Sequence, residues 1–188
     1  MQTVVSADFT AWLKTQRAEH KTANNKKLVQ AARSGDLHRI ERLLRRGTDI
    51  NEQDASGNTP LMAALLAWQY AAAERILDAG PDLSLCNHLG EDPLMYASLR
   101  NQPGIVVKML RLGADPNARN RAGVPVLHFA LVGPHSLTEE RGWGSLPVVE
   151  LLVAHGADPN VTWQGRSLLQ WAEPETDPAI VMWLRERC

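Results

Sequence analysis

Apolar residues recur along this chain in short groups spaced three or four positions apart, which is the spacing of one face of an α-helix. The groups come in pairs along the chain. The first group of each pair is Leu61 with Ala64, Leu94 with Ala97, Leu127 with Ala130, and Leu169 with Ala172. A second apolar group follows several of them: Ala73, Ile76 and Leu77; Ile105, Val106, Met109 and Leu110; Val148, Val149, Leu151 and Leu152. The pattern predicts pairs of short helices, each with one buried face.

The predicted helix pairs recur with a fixed period. One pentapeptide appears four times, as Gly47-Thr-Asp-Ile-Asn51, Gly80-Pro-Asp-Leu-Ser84, Gly113-Ala-Asp-Pro-Asn117 and Gly156-Ala-Asp-Pro-Asn160, at steps of 33, 33 and 43 residues. A second glycine series, Gly57, Gly90, Gly123 and Gly165, follows steps of 33, 33 and 42 residues. A whole unit therefore repeats, and each unit is expected to bury its apolar face against its neighbours.

The start of each first helix carries the signals of a helix N-terminus. Thr59, Asp92 and Ser167 have side-chain oxygens suited to an N-cap, and Pro60 and Pro93 fit the first helical position. The first glycine of each pentapeptide is suited to the end of the second helix, where a left-handed conformation is common. The segments read Gly57-Asn-Thr-Pro-Leu-Met-Ala-Ala64, Gly90-Glu-Asp-Pro-Leu-Met-Tyr-Ala97, Gly123-Val-Pro-Val-Leu-His-Phe-Ala130 and Gly165-Arg-Ser-Leu-Leu-Gln-Trp-Ala172.

These segments resemble the ankyrin repeat. The resemblance implies an all-α solenoid of stacked helix-turn-helix units with protruding loops, here called fingers, before each first helix. We expect an N-terminal helical extension over residues 1–23 and an ankyrin-repeat domain over residues 24–188. The units of that domain are 24–51 as a degenerate cap, 52–84, 85–117, 118–160 with an inserted loop at 133–144, and 161–188 as a shortened cap.

The resemblance also implies a binding surface, because such arrays usually grip a folded protein with their fingers and the concave side formed by their first helices. The groove position recurs as Leu66, Leu99 and Val132, again at steps of 33 residues. A contiguous apolar strip there would suit a partner, although the loop after Val132 offers the alternative of covering it. The finger and loop candidates for partner contact are His88, Leu89, Glu91, Arg119, Arg121, Val124, Trp143, Trp163 and Arg166. Aromatic residues and arginine dominate interface hot spots.

Charge is unevenly distributed although the formal net charge is only −1. Residues 1–50 hold ten Lys or Arg against five acids, whereas residues 51–188 hold ten against sixteen. The basic patch at Arg33, Arg39, Arg42, Arg45 and Arg46 would suit an acidic protein surface or phosphate. Nucleic acid is not expected as a partner, because no recognition module accompanies the patch and the whole chain is not basic.

The sequence predicts no enzyme, cofactor or metal site. No phosphate-binding Gly-rich loop, His-Glu-x-x-His pair or Cys-x-x-Cys motif is present, and the six histidines do not cluster at ligand spacing. The alternative is a catalytic loop at His135, Ser136 and Glu139, with nothing in the sequence to orient these groups. The aspartates of the pentapeptides resemble calcium ligands only superficially, because turns and caps are expected to use them.

We therefore predict a protein-binding module that is monomeric when free. No apolar run approaches the length of a membrane span, and two distant cysteines favour a reducing, cytoplasmic compartment. The preferred function is a stand-alone inhibitor that occludes its partner, such as an immunity protein against a toxin or an inhibitor of an enzyme or transcription factor. An adaptor that bridges two proteins is the alternative, and a secreted effector or enzyme is a third hypothesis.

Overall fold

The structure, a computed structural model, describes residues 27–132, 144–173 and 176–187. Those residues form five helix pairs and one short β-hairpin, which confirms the predicted all-α ankyrin architecture apart from the hairpin. The helices are α1 over residues 27–34, α2 Leu37–Arg45, α3 Pro60–Leu66, α4 Tyr70–Asp78, α5 Pro93–Leu99, α6 Pro103–Arg111, α7 Val126–Val132, α8 Leu146–Ala154, α9 Leu168–Ala172 and α10 Pro178–Arg185. The strands are β1 Thr162–Trp163 and β2 Arg166–Ser167.

The first helices begin where the sequence predicts. The Thr59 hydroxyl accepts a hydrogen bond from the Met62 amide at 3.3 Å, and the Asp92 carboxylate accepts one from the Met95 amide at 2.8 Å. Ser167 does the same at α9 and forms a full capping box with Gln170. Each cap satisfies an amide that would otherwise lack a partner at the helix start.

The helices form two layers. The first helices α3, α5, α7 and α9 pack on one another in sequence, and the second helices contact across neighbouring units as α2 with α4, α6 with α8, and α8 with α10. The predicted apolar groups lie between the layers and form one continuous core. Two of the predicted core residues are only partly buried. In the last unit Leu168 is buried, and the predicted core residue Leu169 is half-buried. Leu151 is also half-buried and packs against the core from outside.

The pentapeptide between successive units is a hydrogen-bonded connector. Its four aspartates, Asp49, Asp82, Asp115 and Asp158, each accept a hydrogen bond at 2.9 Å from the amide two residues later. The side chain of Asn51 then accepts one from the Asp82 amide at 2.8 Å, which joins consecutive pentapeptides. These carboxylates are therefore used in turns, as predicted, because Asp bonded to its own following backbone stabilises the turn.

Two predicted segments lie outside the described residues. They are the N-terminal helical extension at 1–23 and residues 133–143 of the inserted loop, which include Trp143, His135, Ser136 and Glu139. Within the described ranges, no helix is both long enough and apolar enough to cross a bilayer.

Candidate functional site

Four fingers project before the first helices: finger 1 over residues 52–58, finger 2 over 85–91, finger 3 over 118–124 and finger 4 over 161–166. One polar side chain closes each of the first three. The Asn87 side-chain oxygen accepts hydrogen bonds from the amides of Leu89 and Glu91, at 2.9 and 3.0 Å. Asp54 and Asn120 make the same pair of bonds in fingers 1 and 3. Each of these three fingers is therefore a closed turn.

Hydrogen bonds to backbone carbonyls join each finger to the next. The His88 amide donates to the Ser56 carbonyl at 3.0 Å, which joins finger 2 to finger 1. The Arg121 amide donates to the Leu89 carbonyl at 2.9 Å, which joins finger 3 to finger 2. The four fingers therefore form a continuous row, since the Trp163 indole completes the series by donating to the Ala122 carbonyl at 3.0 Å.

Long polar side chains reinforce the finger row. Gln53 donates to the Cys86 carbonyl at 2.7 Å, Arg121 donates to the His88 carbonyl at 2.6 Å, and Arg119 donates to the Thr162 carbonyl at 3.1 Å. These arginines were predicted to contact a partner. The structure gives both of them a second role, because each holds a neighbouring finger while its side chain remains exposed.

Glycine is required where the fingers touch. A Cβ on Gly90, which has a φ of +76°, would lie 2.6 Å from the Arg121 amide nitrogen. Gly57 has the same relation to finger 2, because a Cβ there would lie 2.9 Å from the His88 amide nitrogen. Gly57 and Gly90 of the second glycine series therefore mark the contacts between fingers 1, 2 and 3, since only a residue without a Cβ allows this approach, whereas Gly123 and Gly165 are not closely approached.

A buried polar network supports finger 2 from below. The Asn87 side-chain amide donates to the Tyr96 hydroxyl at 2.8 Å and to the Asn58 side chain at 3.2 Å, and the Tyr96 hydroxyl donates to Glu91 at 2.5 Å. Burial raises the pKa of Tyr96, and the bond to the Glu91 carboxylate raises it further. Glu91 was predicted as a contact residue, but it is half-buried and its carboxylate is engaged inside the array.

Asp92, the cap of α5, is a buried acid next to this network. Burial raises its pKa from 3.8 to about 6, and hydrogen bonds from the Met95 and Leu94 amides oppose the shift. The carboxylates of Asp115 and Glu91 raise its pKa further. A buried carboxylate without a directly paired cation costs stability in its charged form.

Aromatic rings anchor the last finger. Trp163 stacks on Trp171 with ring centroids 4.8 Å apart, and His128 lies 4.9 Å from Trp163 and 5.3 Å from Trp171. The Arg166 guanidinium lies 4.9 Å above the Trp171 ring. Trp163 was predicted to contact a partner. It is half-buried and packs finger 4 onto His128 of α7 and Trp171 of α9. The β-hairpin explains this position, because its turn at Gln164 and Gly165 directs Trp163 back toward α9.

The groove position presents less apolar surface than the sequence predicts. Leu66, Leu99 and Val132 end the helices α3, α5 and α7, and all three are half-buried. Leu66 packs against the hydrophobic core. The strip therefore exposes only parts of these side chains.

The most exposed large apolar side chain of the finger row is Leu89, with 62% of its surface accessible. His88, Arg119, Arg121 and Arg166 are also exposed, whereas Val124 is half-buried. Fingers 3 and 4 contain three arginines and no acidic residue. The row thus combines a central leucine with a basic half.

A third periodic series lies in the turns between paired helices. Gly35, Trp68, Asn101 and Gly144 all have positive φ, of 71°, 62°, 51° and 101°. They occupy the turns between paired helices at steps of 33, 33 and 43 residues, the same steps as the pentapeptide. Trp68 is 49% exposed, and the Arg100 guanidinium lies 4.1 Å above its ring. Only two of the four residues are glycine, so the sequence carries no obvious signal for the series.

The side chains that could ligate a metal ion are dispersed over the described residues. Within residues 27–132, 144–173 and 176–187, no three His, Cys, Asp or Glu side chains come together in a way that would hold a metal ion. The acids of the fingers and pentapeptides are engaged by backbone amides and by Tyr96. The arrangement can supply guanidinium donors, a leucine and a rigid row of loops, which is the chemistry of recognition.

Comparison with known proteins identifies the repeat. Residues 28–120, about half of the chain, match the family model "Ankyrin repeats (3 copies)". Over 46 residues, or 24% of this chain, the sequence is 50% identical to the ankyrin repeat domain-containing protein SAT10 of Stachybotrys chartarum. The matched segment is 2% of that relative's length. Ankyrin repeats suggest a module for protein–protein interaction, and the chain belongs to the ankyrin-repeat family.

Proposed function

We propose that this protein is an inhibitor that binds one folded protein through its finger row and occludes that protein's working surface. The observation that carries the proposal is the hydrogen-bonded row itself, with exposed Leu89 near its centre. The row is joined at His88 to Ser56, Arg121 to Leu89, and Trp163 to Ala122.

Preorganisation favours tight binding by such a row. Ordering flexible loops on association costs free energy, and loops that are already fixed avoid much of that cost. Asn87 and Asn120 fix their own fingers, and Arg119 and Arg121 tie finger 3 to fingers 4 and 2. A partner therefore meets a surface whose shape is set before contact.

The charge of the row favours an acidic partner surface. Arg119, Arg121 and Arg166 are exposed in fingers 3 and 4, which contain no acid. Among the described residues, these arginines bond to backbone carbonyls or lie over a ring, and no described carboxylate pairs with them. Complementary charge raises association rates and selects partners.

Occlusion is preferred as the mode of action because the groups that the row exposes, guanidinium donors and a leucine, serve recognition. A surface that only recognises can change its partner's activity by covering the part of the partner that works. This mode predicts a one-to-one complex in which inhibition follows occupancy.

The test is capture of partners from the source organism with the full chain, followed by sizing and an assay of the captured protein's own activity. Leu89→Asp is the informative variant, and Leu112→Asp is its matched control, because Leu112 has 56% of its surface exposed at the end of α6. The proposal requires a one-to-one complex, inhibition that rises with occupancy, and loss of both in Leu89→Asp alone. A captured protein that remains fully active in the complex would contradict it.

An adaptor is the second candidate, and Trp68 is the observation that favours it. This tryptophan is 49% exposed in the turn after α3, whereas the fingers precede that helix. A second partner at Trp68 would leave the finger row free. Recovery of two proteins together, one lost in Leu89→Asp and the other in Trp68→Gly, would support the adaptor over the inhibitor.

A further inference from the structure

A basic cleft lies at the N-terminal end of the described array, apart from the finger row. It has a volume of about 420 Å³ and is lined by residues of α1 and α2 and the turn between them. Its lining residues are Lys27, Asp36, Arg39, Arg42, Leu43 and Arg46. Four cations thus face one carboxylate around a concave surface whose volume is typical of small-ligand sites.

The cations of this cleft are not paired with any acid in the part of the chain that the structure describes. Among the described residues, none of Lys27, Arg39, Arg42 or Arg46 forms an ion pair. The nearby Glu41 pairs with Arg75 at 3.0 Å and, more loosely, with Arg45 at 3.9 Å. Asp36 caps α2 by accepting a hydrogen bond from the Arg39 amide at 2.9 Å. The cleft therefore keeps a positive excess.

Helix stability explains only part of this arrangement. Arg39, Arg42 and Arg46 stand three and four positions apart on α2 and its end, so their like charges repel. Arg39 lies in the first turn, where the helix dipole disfavours a cation. The dipole favours a cation only near the other end of α2, at Arg42 and Arg46. An anion in the cleft would relieve the repulsion among all three.

Residues 1–26, which precede the cleft along the chain, carry a net positive charge. Residues 1–26 contain four basic residues, Lys14, Arg17, Lys21 and Lys26, against two acids, Asp8 and Glu19. A segment with net charge +2 is not attracted to four cations. The occupant that fits is a separate anion.

We propose that this cleft binds a compact polyanion that carries several phosphate groups. Guanidinium groups match phosphate oxygens with paired, charge-assisted hydrogen bonds, and three of them converge here. A concave site suits a small phosphorylated ligand better than it suits a flat acidic protein surface. The ligand would stabilise the first repeat independently of partner binding at the fingers.

Isothermal titration calorimetry with inorganic tripolyphosphate tests the proposal on the full chain. We expect one site in the wild type, binding that weakens as salt is raised, and affinity at least about tenfold lower in Arg39→Gln/Arg42→Gln. Arg111→Gln is the matched control, since Arg111 is an exposed arginine at the end of α6, outside the cleft. It should bind as the wild type does. Thermal unfolding without ligand establishes that each variant is folded.

Three outcomes would overturn the proposal: no heat of binding in the wild type, equal weakening in Arg111→Gln, or unchanged affinity in the double variant. Tighter binding of a polyglutamate peptide than of tripolyphosphate would also overturn it and reassign the cleft to a protein contact. Arg42→Lys separates charge from geometry, because it keeps the cation and loses the planar fork. We expect its affinity to lie between those of the wild type and the double variant.

Discussion

The Arg121 amide nitrogen lies 2.9 Å from the Leu89 carbonyl oxygen and donates a hydrogen bond to it. This bond joins fingers 2 and 3 directly behind the exposed Leu89 side chain. The Arg121 side chain adds a second bond, to the His88 carbonyl at 2.6 Å. The centre of the proposed binding surface is therefore held by two contacts from one residue of the next unit.

The close approach of these fingers predicts unequal costs for two glycine substitutions. Gly80→Ala has open space around the new Cβ and adds only left-handed strain, so it should lower the free energy of unfolding by about 1 kcal/mol. Gly90→Ala adds the same strain and a clash with the Arg121 amide, so it should cost clearly more, about 2–4 kcal/mol. Urea unfolding followed by circular dichroism measures both. Equal costs would show that the fingers are not in contact.

The left-handed turn at Trp68 predicts that glycine is more stable than alanine at this position, the reverse of their usual order of stability. Its φ is +62°, a conformation that any residue with a Cβ adopts at a cost. Trp68→Gly and Trp68→Ala both remove the contact with Arg100, but only glycine removes the strain. Trp68→Gly should therefore be more stable than Trp68→Ala by about 1 kcal/mol in chemical unfolding. An alanine variant as stable as the glycine variant would contradict the left-handed turn.

The aromatic cluster predicts the stability of the last unit. Trp163→Ala removes the stacking on Trp171 and the hydrogen bond to Ala122, and should cost about 2 kcal/mol because the side chain is only half-buried. Trp163→Phe keeps most of the stacking and loses the hydrogen bond, which is worth about 1 kcal/mol. Unfolding of both variants should be followed by hydrogen exchange of α9 amides. Similar losses in the two variants would mean that the hydrogen bond, and not the stacking, holds finger 4.

Asp92 predicts a pH dependence with a defined sign. Because burial raises its folded pKa to about 6 from 3.8, the folded state binds a proton more readily than the unfolded state does. This group therefore destabilises the fold above pH 6, and the penalty is relieved as the pH falls from about 6 to about 4. Asp92→Asn keeps a capping oxygen and lacks the charge. Its free energy of unfolding should increase relative to that of the wild type by up to roughly 3 kcal/mol as the pH rises from about 4 to about 7.

Parallel unfolding curves at several pH values measure that difference. A constant difference between Asp92→Asn and the wild type over this pH range would mean that Asp92 titrates as an exposed carboxyl. Asp92→Ala is the control, because it removes both the charge and the cap. It should lose the cap at every pH, at a cost of about 1 kcal/mol.

The sequence predicted the elements that depend on local chemistry. Thr59 and Asp92 cap their helices, and the pentapeptide glycines Gly47, Gly80, Gly113 and Gly156 have positive φ, because capping and left-handed turns depend on residue type. The repeat period then placed the helix pairs. The family match agrees with that assignment over residues 28–120.

The sequence did not predict contacts between units. Trp163 and Arg121 have the composition of partner-binding residues, yet one packs on Trp171 and the other bonds to finger 2. Both outcomes depend on how far one repeat lies from the next, which no single unit specifies. The closing residues Asp54, Asn87 and Asn120 were readable in principle, because they recur at steps of 33 residues. Trp68 adopts a left-handed conformation that tryptophan rarely adopts, so its residue type alone did not indicate the turn.

The central claim is that a partner binds the finger row at Leu89, and the affinity of the captured partner for three proteins tests it most directly. Wild type, Leu89→Asp and Leu112→Asp should unfold at similar temperatures, because both leucines are exposed and surface changes usually have small effects. We predict that Leu89→Asp binds at least about tenfold more weakly, whereas Leu112→Asp binds as the wild type does. Unchanged affinity in Leu89→Asp, or equal losses in both variants, would contradict the account.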